Sequence, residues 1–123
     1  MTGDFFMSFK FEKLTIWQEA MDLGEVINRV AGKFHEKEVY NLNSQIRRAA
    51  DSIALNISEG SIGQTVPEMK RFIGYAIRSN AEVVTCLYKA RNRGYISDEE
   101  FDLIYEKCFI LMNKMSAFRK SVR

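Results

Sequence analysis

Between Ile16 and Lys120, apolar residues return every three or four positions in four successive segments. That is the spacing of a helix face, not of a strand, whose faces alternate every second residue. The punctuation agrees. One proline and seven glycines in 123 residues are too few breakers for the many turns of an all-β domain. Thr15–Gln18, Thr65–Glu68 and Ser97–Glu100 each place a hydroxyl three residues before Glu or Gln. Each pair predicts a helix start, because the hydroxyl accepts from the third backbone amide and the acid or amide side chain reaches back. Pro67 falls in a first turn, where its missing N–H costs nothing. Gly60 and Gly94 fall where a left-handed C-terminal cap is wanted.

The spacing predicts helices over 16–34, 41–59, 67–93 and 98–120. The first carries Ile16, Ala20, Leu23, Gly24, Ile27, Val30, Ala31 and Phe34 on one face. Trp17, Met21 and Val26 widen its apolar arc to over ~200°, more than one bundle seam uses. The second buries Leu42, Ile46, Ala49, Ala50, Ile53, Ala54 and Ile57, with Leu55 pointing away. The third has a stripe of Met69, Phe72, Ile73, Ala76, Ile77, Val83, Val84, Leu87 and Tyr88, with Asn80 in its middle. The fourth has Phe101, Ile104, Tyr105, Cys108, Leu111, Met112, Met115 and Phe118. Short links between such helices give antiparallel neighbours, so the expected fold is all-α, an up-and-down four-helix bundle over 14–123. Residues 1–13 read as an N-terminal arm.

Several function classes are disfavoured. Lys+Arg 18 against Asp+Glu 16, net +2, is not the balance of a protein that coats nucleic acid, although a local basic face remains open. Cys86 and Cys108 lack CxxC spacing and read as reduced thiols of a cytoplasmic protein. No apolar run approaches the ~20 residues of a membrane span. Asp4 stands where a secretion signal would be positive. Di-iron bundles need inward Glu-x-x-His motifs, and the single histidine, His35, has no glutamate three residues before it and reads as an exposed loop residue. The glycines form no phosphate loop. The expectation is therefore a non-enzymatic chain without metal, cofactor or small-molecule substrate.

Phe11-Glu-Lys-Leu-Thr-Ile-Trp-Gln18, Tyr40-Asn-Leu-Asn-Ser-Gln-Ile-Arg-Arg-Ala-Ala50, Ser52-Ile-Ala-Leu-Asn-Ile-Ser-Glu-Gly60 and Gly94-Tyr-Ile96 together resemble the four-helix-bundle family of 23S rRNA intervening-sequence proteins. The resemblance covers most of the chain. It implies an antiparallel bundle assembling into a ring-like homo-oligomer, a homopentamer in several members. It also implies a bacterial source, since some members are encoded within insertions in bacterial 23S rRNA genes. One branch serves diversity-generating retroelements as a basic pentamer that binds nucleic acid and a reverse transcriptase. This chain is less basic than that branch, and has Gly63-Gln64 where the family often has Gly-Arg.

The candidate nucleic-acid face is on the third helix. Arg71, Arg78, Lys89 and Arg93 fall within ~60° of one another on a helical wheel, with Tyr75 beside them. Such a ridge tracks phosphates and stacks a base. The bland reading is a solvated face of ordinary ion pairs, with Glu82 answering Arg78 or Lys89. Arg47 and Arg48 precede Asp51 by four and three residues. One arginine is explained by that carboxylate, and the other is left for a neighbouring subunit or a phosphate. Asn80 in an apolar seam predicts a register-fixing buried amide. The acidic start of the last helix, from Asp98 to Glu106, and its basic end complement the helix dipole. Leu55, Leu103, Phe109 and Ile110 lie off the seams, and Phe5, Phe6, Phe9 and Phe11 add to them. A surplus of this kind marks an interface between copies. The function expected is an oligomeric scaffold associated with RNA. The rivals are a protein-interaction module without nucleic acid, and an enzyme that would need a polar pocket at a subunit junction.

Overall fold

The computed structural model describes residues 7–123. Four helices account for most of them: α1 (Thr15–Ala31), α2 (Leu42–Ile62), α3 (Val66–Asn92) and α4 (Asp98–Ser121), with short 3₁₀ turns at Lys10–Lys13 and Glu36–Glu38. Helix α1 packs on α2 and α4, and α3 packs on α2 and α4, with no close backbone approach across either diagonal among the described residues. The cross-section is a square with α1 diagonal to α3. Neighbours run antiparallel, because partner positions fall as their opposites rise. Ser79 meets Ser52 and Phe72 meets Gly60 between α3 and α2. Lys114 meets Glu19 between α4 and α1, and Lys33, two residues past the end of α1, meets Glu100 in the first turn of α4. The expected bundle is present; the ends of α1 and α2 differ by up to three residues from those expected.

The core is built from seams of three-and-four spacing. Ile27, Ile46, Ile53, Ile57, Ile73, Val83 and Leu87 are fully buried, and each large aliphatic so placed contributes about 1.5–3 kcal/mol. On α3 the seam runs Ile73, Ala76, Asn80, Val83, Leu87, Ala90, a seven-residue repeat that begins after the first two turns, with Cys86 also buried beside it. Tyr88, expected in that stripe, is exposed, and Ile77 and Val84 are only half-buried. They lie on the edge of α3 nearest α4, where the groove between the helices stays open. Helix α4 buries Phe101, Ile104, Cys108, Leu111 and Met115 of its expected seam, while Tyr105 is exposed and Met112 and Phe118 are half-buried.

Two of the three expected caps form. Ser97 and Glu100 make the reciprocal box, with Glu100 N donating to Ser97 Oγ at 3.0 Å and Ser97 N to Glu100 Oε1 at 3.1 Å. Thr65 Oγ1 accepts from Glu68 N, while the Glu68 carboxylate takes the Gln64 amide. Thr15 is not a cap. The chain arrives from the turn at Lys10–Lys13, and Leu14 supplies the carbonyl that starts α1. Gln18 donates instead to the Glu12 carbonyl. Gly94 has φ +76° and closes α3, with Tyr95 N donating to Ala90 O and Gly94 N to Arg91 O, the paired bonds of a left-handed cap. Gly60 does not end α2. It is buried inside the helix, where a Cβ would stand 2.8 Å from Phe72 Cβ. It is glycine because α2 and α3 approach there.

Candidate functional site

Helix α3 rises about 1.5 Å per residue, so Arg71, Arg78 and Lys89 span roughly 27 Å of its outer face. All three are exposed. Arg71 lies 3.9 Å from Glu68 and 5.4 Å from the Phe72 ring centre, too loose to hold it fast. Among the described residues Arg78 and Lys89 make no ion pair, and Glu82 answers neither. Tyr75 is exposed and meets Phe72 edge-on at 5.5 Å. The structure thus brings Arg71, Tyr75, Arg78 and Lys89 onto one open face.

Arg93 leaves that face. Its Nη1 donates to Glu38 Oε2 at 3.2 Å, and Tyr95 O–H donates to the same oxygen at 2.7 Å. The other oxygen accepts from Asn41 Nδ2 and Leu42 N. Glu38 is 4% exposed, and sequence reasoning missed it. Four donors surround one carboxylate and tie the α1–α2 connection, the start of α2 and the α3–α4 loop together. The Tyr95 hydrogen bond, more than any other contact, holds the Glu38 carboxyl below its ordinary value; burial opposes this and the remaining donors assist. The same bond raises the Tyr95 hydroxyl. The partners sit 55 and 57 residues along the chain, so no local pattern announced them. His35, exposed as expected, caps the turn before Glu38, its Nδ1 accepting from Lys37 N.

Arg47 and Arg48 also part from expectation. Arg47 is half-buried and donates from Nη1 to Asn28 Oδ1 on α1, not to Asp51. Neither arginine forms an ion pair with Asp51, and Arg48 stands exposed. Asn80 is fully buried and bridges α3 to α4, its Nδ2 donating to the Cys108 carbonyl at 2.8 Å while its Oδ1 has no partner. The carbonyl can only accept, so the amide nitrogen must face it.

The off-seam apolar residues are indeed exposed. Leu55 is 60% accessible, Leu103 64%, Phe109 56% and Ile110 43%. Leu55 borders a groove between α1 and α2 with Phe11, Trp17 and Met21. Phe109 borders a groove between α3 and α4 with Val84, Tyr105 and Met112. Ile110 lies over Leu23 in a smaller cleft between α1 and α4. Phe9 is exposed and stacks on Phe11, which packs against Trp17; Phe5 and Phe6 lie outside the described residues. No group of three His, Cys, Asp or Glu side chains is placed to hold a metal, and no helix is long and apolar enough to cross a membrane, among the described residues.

The family profile described as 23S rRNA-intervening sequence protein matches residues 12–117. The chain belongs to the 23S rRNA-intervening sequence protein family. The match runs from the turn that packs on α1 and α2 to near the end of α4. In this member of the family the Arg47–Arg48 block and the Asn-Ile-Ser-Glu-Gly block both lie on α2, at the α1 and α3 contacts respectively. No curated protein matches the chain.

Proposed function

We propose that the chain is a non-enzymatic, cytoplasmic scaffold that assembles into a ring-like homo-oligomer, a pentamer by the family resemblance, and contacts RNA through the outer face of α3. The supporting observation is the surplus of exposed large apolar side chains, led by Leu55, Leu103, Phe109 and Ile110, on a bundle whose core is already closed. Such a surface is stable in water when another copy covers it.

The RNA contact rests on Arg71, Arg78 and Lys89 beside Tyr75. Three phosphate contacts per subunit give log K against log salt a slope of about −2 for single-stranded RNA. Titration of a labelled RNA at rising salt, with wild-type protein and an Arg78→Glu, Lys89→Glu variant, tests it. Loss of binding with salt and in the variant supports the contact. Indifference to RNA at low salt refutes it and leaves the second reading, a protein-interaction module without nucleic acid. That reading is favoured by Arg93 and Arg47, two of the expected phosphate ligands, being engaged by Glu38 and Asn28 of the same chain.

A further inference from the structure

Exposed tyrosines border the basic ridge of α3 on both flanks. Tyr75, Tyr88 and Tyr105 are 39%, 42% and 36% accessible. At about 100° per residue, Tyr75 falls about 45° to one side of the line through Arg71, Arg78 and Lys89, and Tyr88 about 90° to the other, toward α4.

On the α4 flank the rings are held in place. Tyr88 meets Tyr105 edge-on at 6.4 Å and Phe101 at 4.8 Å, and Phe101 stacks on Tyr105 at 5.6 Å with 28° between the planes. Phe101 is buried and anchors both tyrosines, whose outer surfaces stay open. The Arg91 guanidinium lies 4.0 Å from the Phe101 ring centre and 5.2 Å from that of Tyr88. Among the described residues it has no carboxylate partner. Phe109 continues the row at 6.4 Å from Tyr105, but belongs to the surface given above to a neighbouring copy.

A line of cations beside fixed, open aromatic rings suits a single strand, whose backbone follows the charge while its bases stack on the rings. A duplex keeps its bases inside the stack and offers phosphates and 2′-hydroxyls instead, so it would leave the tyrosines unused. The acids fix which way the strand lies. Asp98, Asp102 and Glu106 are exposed on the outer side of α4, and Glu82 on α3. Phosphates are therefore held over the ridge of α3, away from the α4 carboxylates. The uncharged bases lie toward α4, where their amino groups can donate to those carboxylates.

We infer that the outer face of α3 takes single-stranded RNA, with phosphates on Arg71, Arg78 and Lys89 and bases stacked on Tyr75 and on the Tyr88–Tyr105 pair. This rests on the RNA contact proposed above and adds the form of the RNA and the place of its bases.

The test compares wild type with Tyr88→Leu, Tyr105→Leu and Tyr75→Leu. Leucine keeps the surface apolar but has no ring face to stack on. Circular dichroism checks the fold and light scattering the assembly. The probes are a labelled single strand, the duplex of the same sequence, and an abasic strand of the same length. Each leucine is expected to weaken the single strand roughly tenfold, with the slope against salt unchanged. Phenylalanine at the same position should restore binding, and duplex binding should not move. Where a leucine variant fails to fold, wild type alone decides, because it should hold the abasic strand more weakly than the intact one. Leucine variants that bind the single strand like wild type, an equal loss toward duplex, a loss that phenylalanine does not restore, a changed salt slope, or abasic RNA held as tightly as intact RNA each overturn the stacking and leave the α3 phosphate contact standing. Wild type that binds no RNA at low salt overturns both.

Discussion

Replacing Asn80 by leucine is expected to stabilise the bundle. The amide is fully buried on the α3 seam, gives one hydrogen bond to the Cys108 carbonyl and leaves Oδ1 without a partner. Losing the bond costs about 1 kcal/mol. Removing the unpaired buried acceptor returns about 1–3 kcal/mol. Leucine branches at the same carbon but is larger, and crowding a packed seam costs about 1–3 kcal/mol. The open groove beside Asn80 keeps that cost near the low end, and the added apolar burial of about 1.5–3 kcal/mol outweighs it. The balance is a gain of roughly 1–2 kcal/mol, built from these per-group values. Urea unfolding followed by circular dichroism measures it, with protein concentration held fixed because assembly would add to apparent stability. With a slope near 1.5 kcal/mol per molar urea, the midpoint rises by about 1 M at unchanged slope. A midpoint lowered by half a molar or more would show that the amide stabilises the fold, and the reasoning would fail. A gain in stability with a mixture of assembled species would identify Asn80 as the residue that sets register, at a cost in stability.

Three further outcomes follow from the same geometry. Glu38 and Glu100 both titrate below their ordinary 4.5, held there first by the Tyr95 and Lys33 hydrogen bonds respectively. The stability they contribute is full above 4.5 and is lost as pH falls through their lower native values. Glu38→Gln should therefore lower stability at pH 7 and flatten the acid limb of a stability-against-pH curve; an unchanged limb would contradict the role of the Glu38 cluster. Gly60→Ala should lower the urea midpoint. The helix gains about 1 kcal/mol from the better helix former, but forcing α2 from Phe72 costs about 1–3 kcal/mol; a raised midpoint would mean the helices part freely. Cys108, buried with its thiol pushed up to about 12, and Cys86, also buried and raised, should resist a thiol reagent in the native state at pH 8 and react after unfolding; rapid native labelling would disprove the packing of the α3–α4 seam.

What sequence could reveal here divides by range. The Ser97–Glu100 box and Gly94 are local devices, complete within a few residues, and they fold as read. Thr15 carries the same local signature, yet the turn at Lys10–Lys13 just before it hands the cap to Leu14. Gly60 looked like a helix end because glycine serves both ends and close crossings, and only the position of Phe72 separates the two. Arg93 shares a wheel face with Arg71 and Arg78, but it sits beside the α3–α4 loop, where Glu38 reaches it from the turn before α2. The apolar surplus was readable because a four-helix seam uses only part of each helix. Leu55, Leu103, Phe109 and Ile110 therefore had no place inside. That Leu55 borders the α1–α2 groove, Phe109 the α3–α4 groove and Ile110 the α1–α4 cleft needed the order of the helices around the square.

The mass of the wild-type chain in solution, by light scattering at micromolar concentration and again tenfold lower, tests the account most directly. The exposed grooves predict a defined multiple of 14.3 kDa, falling only on dilution. A single chain at both concentrations would mean that this surface is tolerated bare, and the scaffold reading would be wrong.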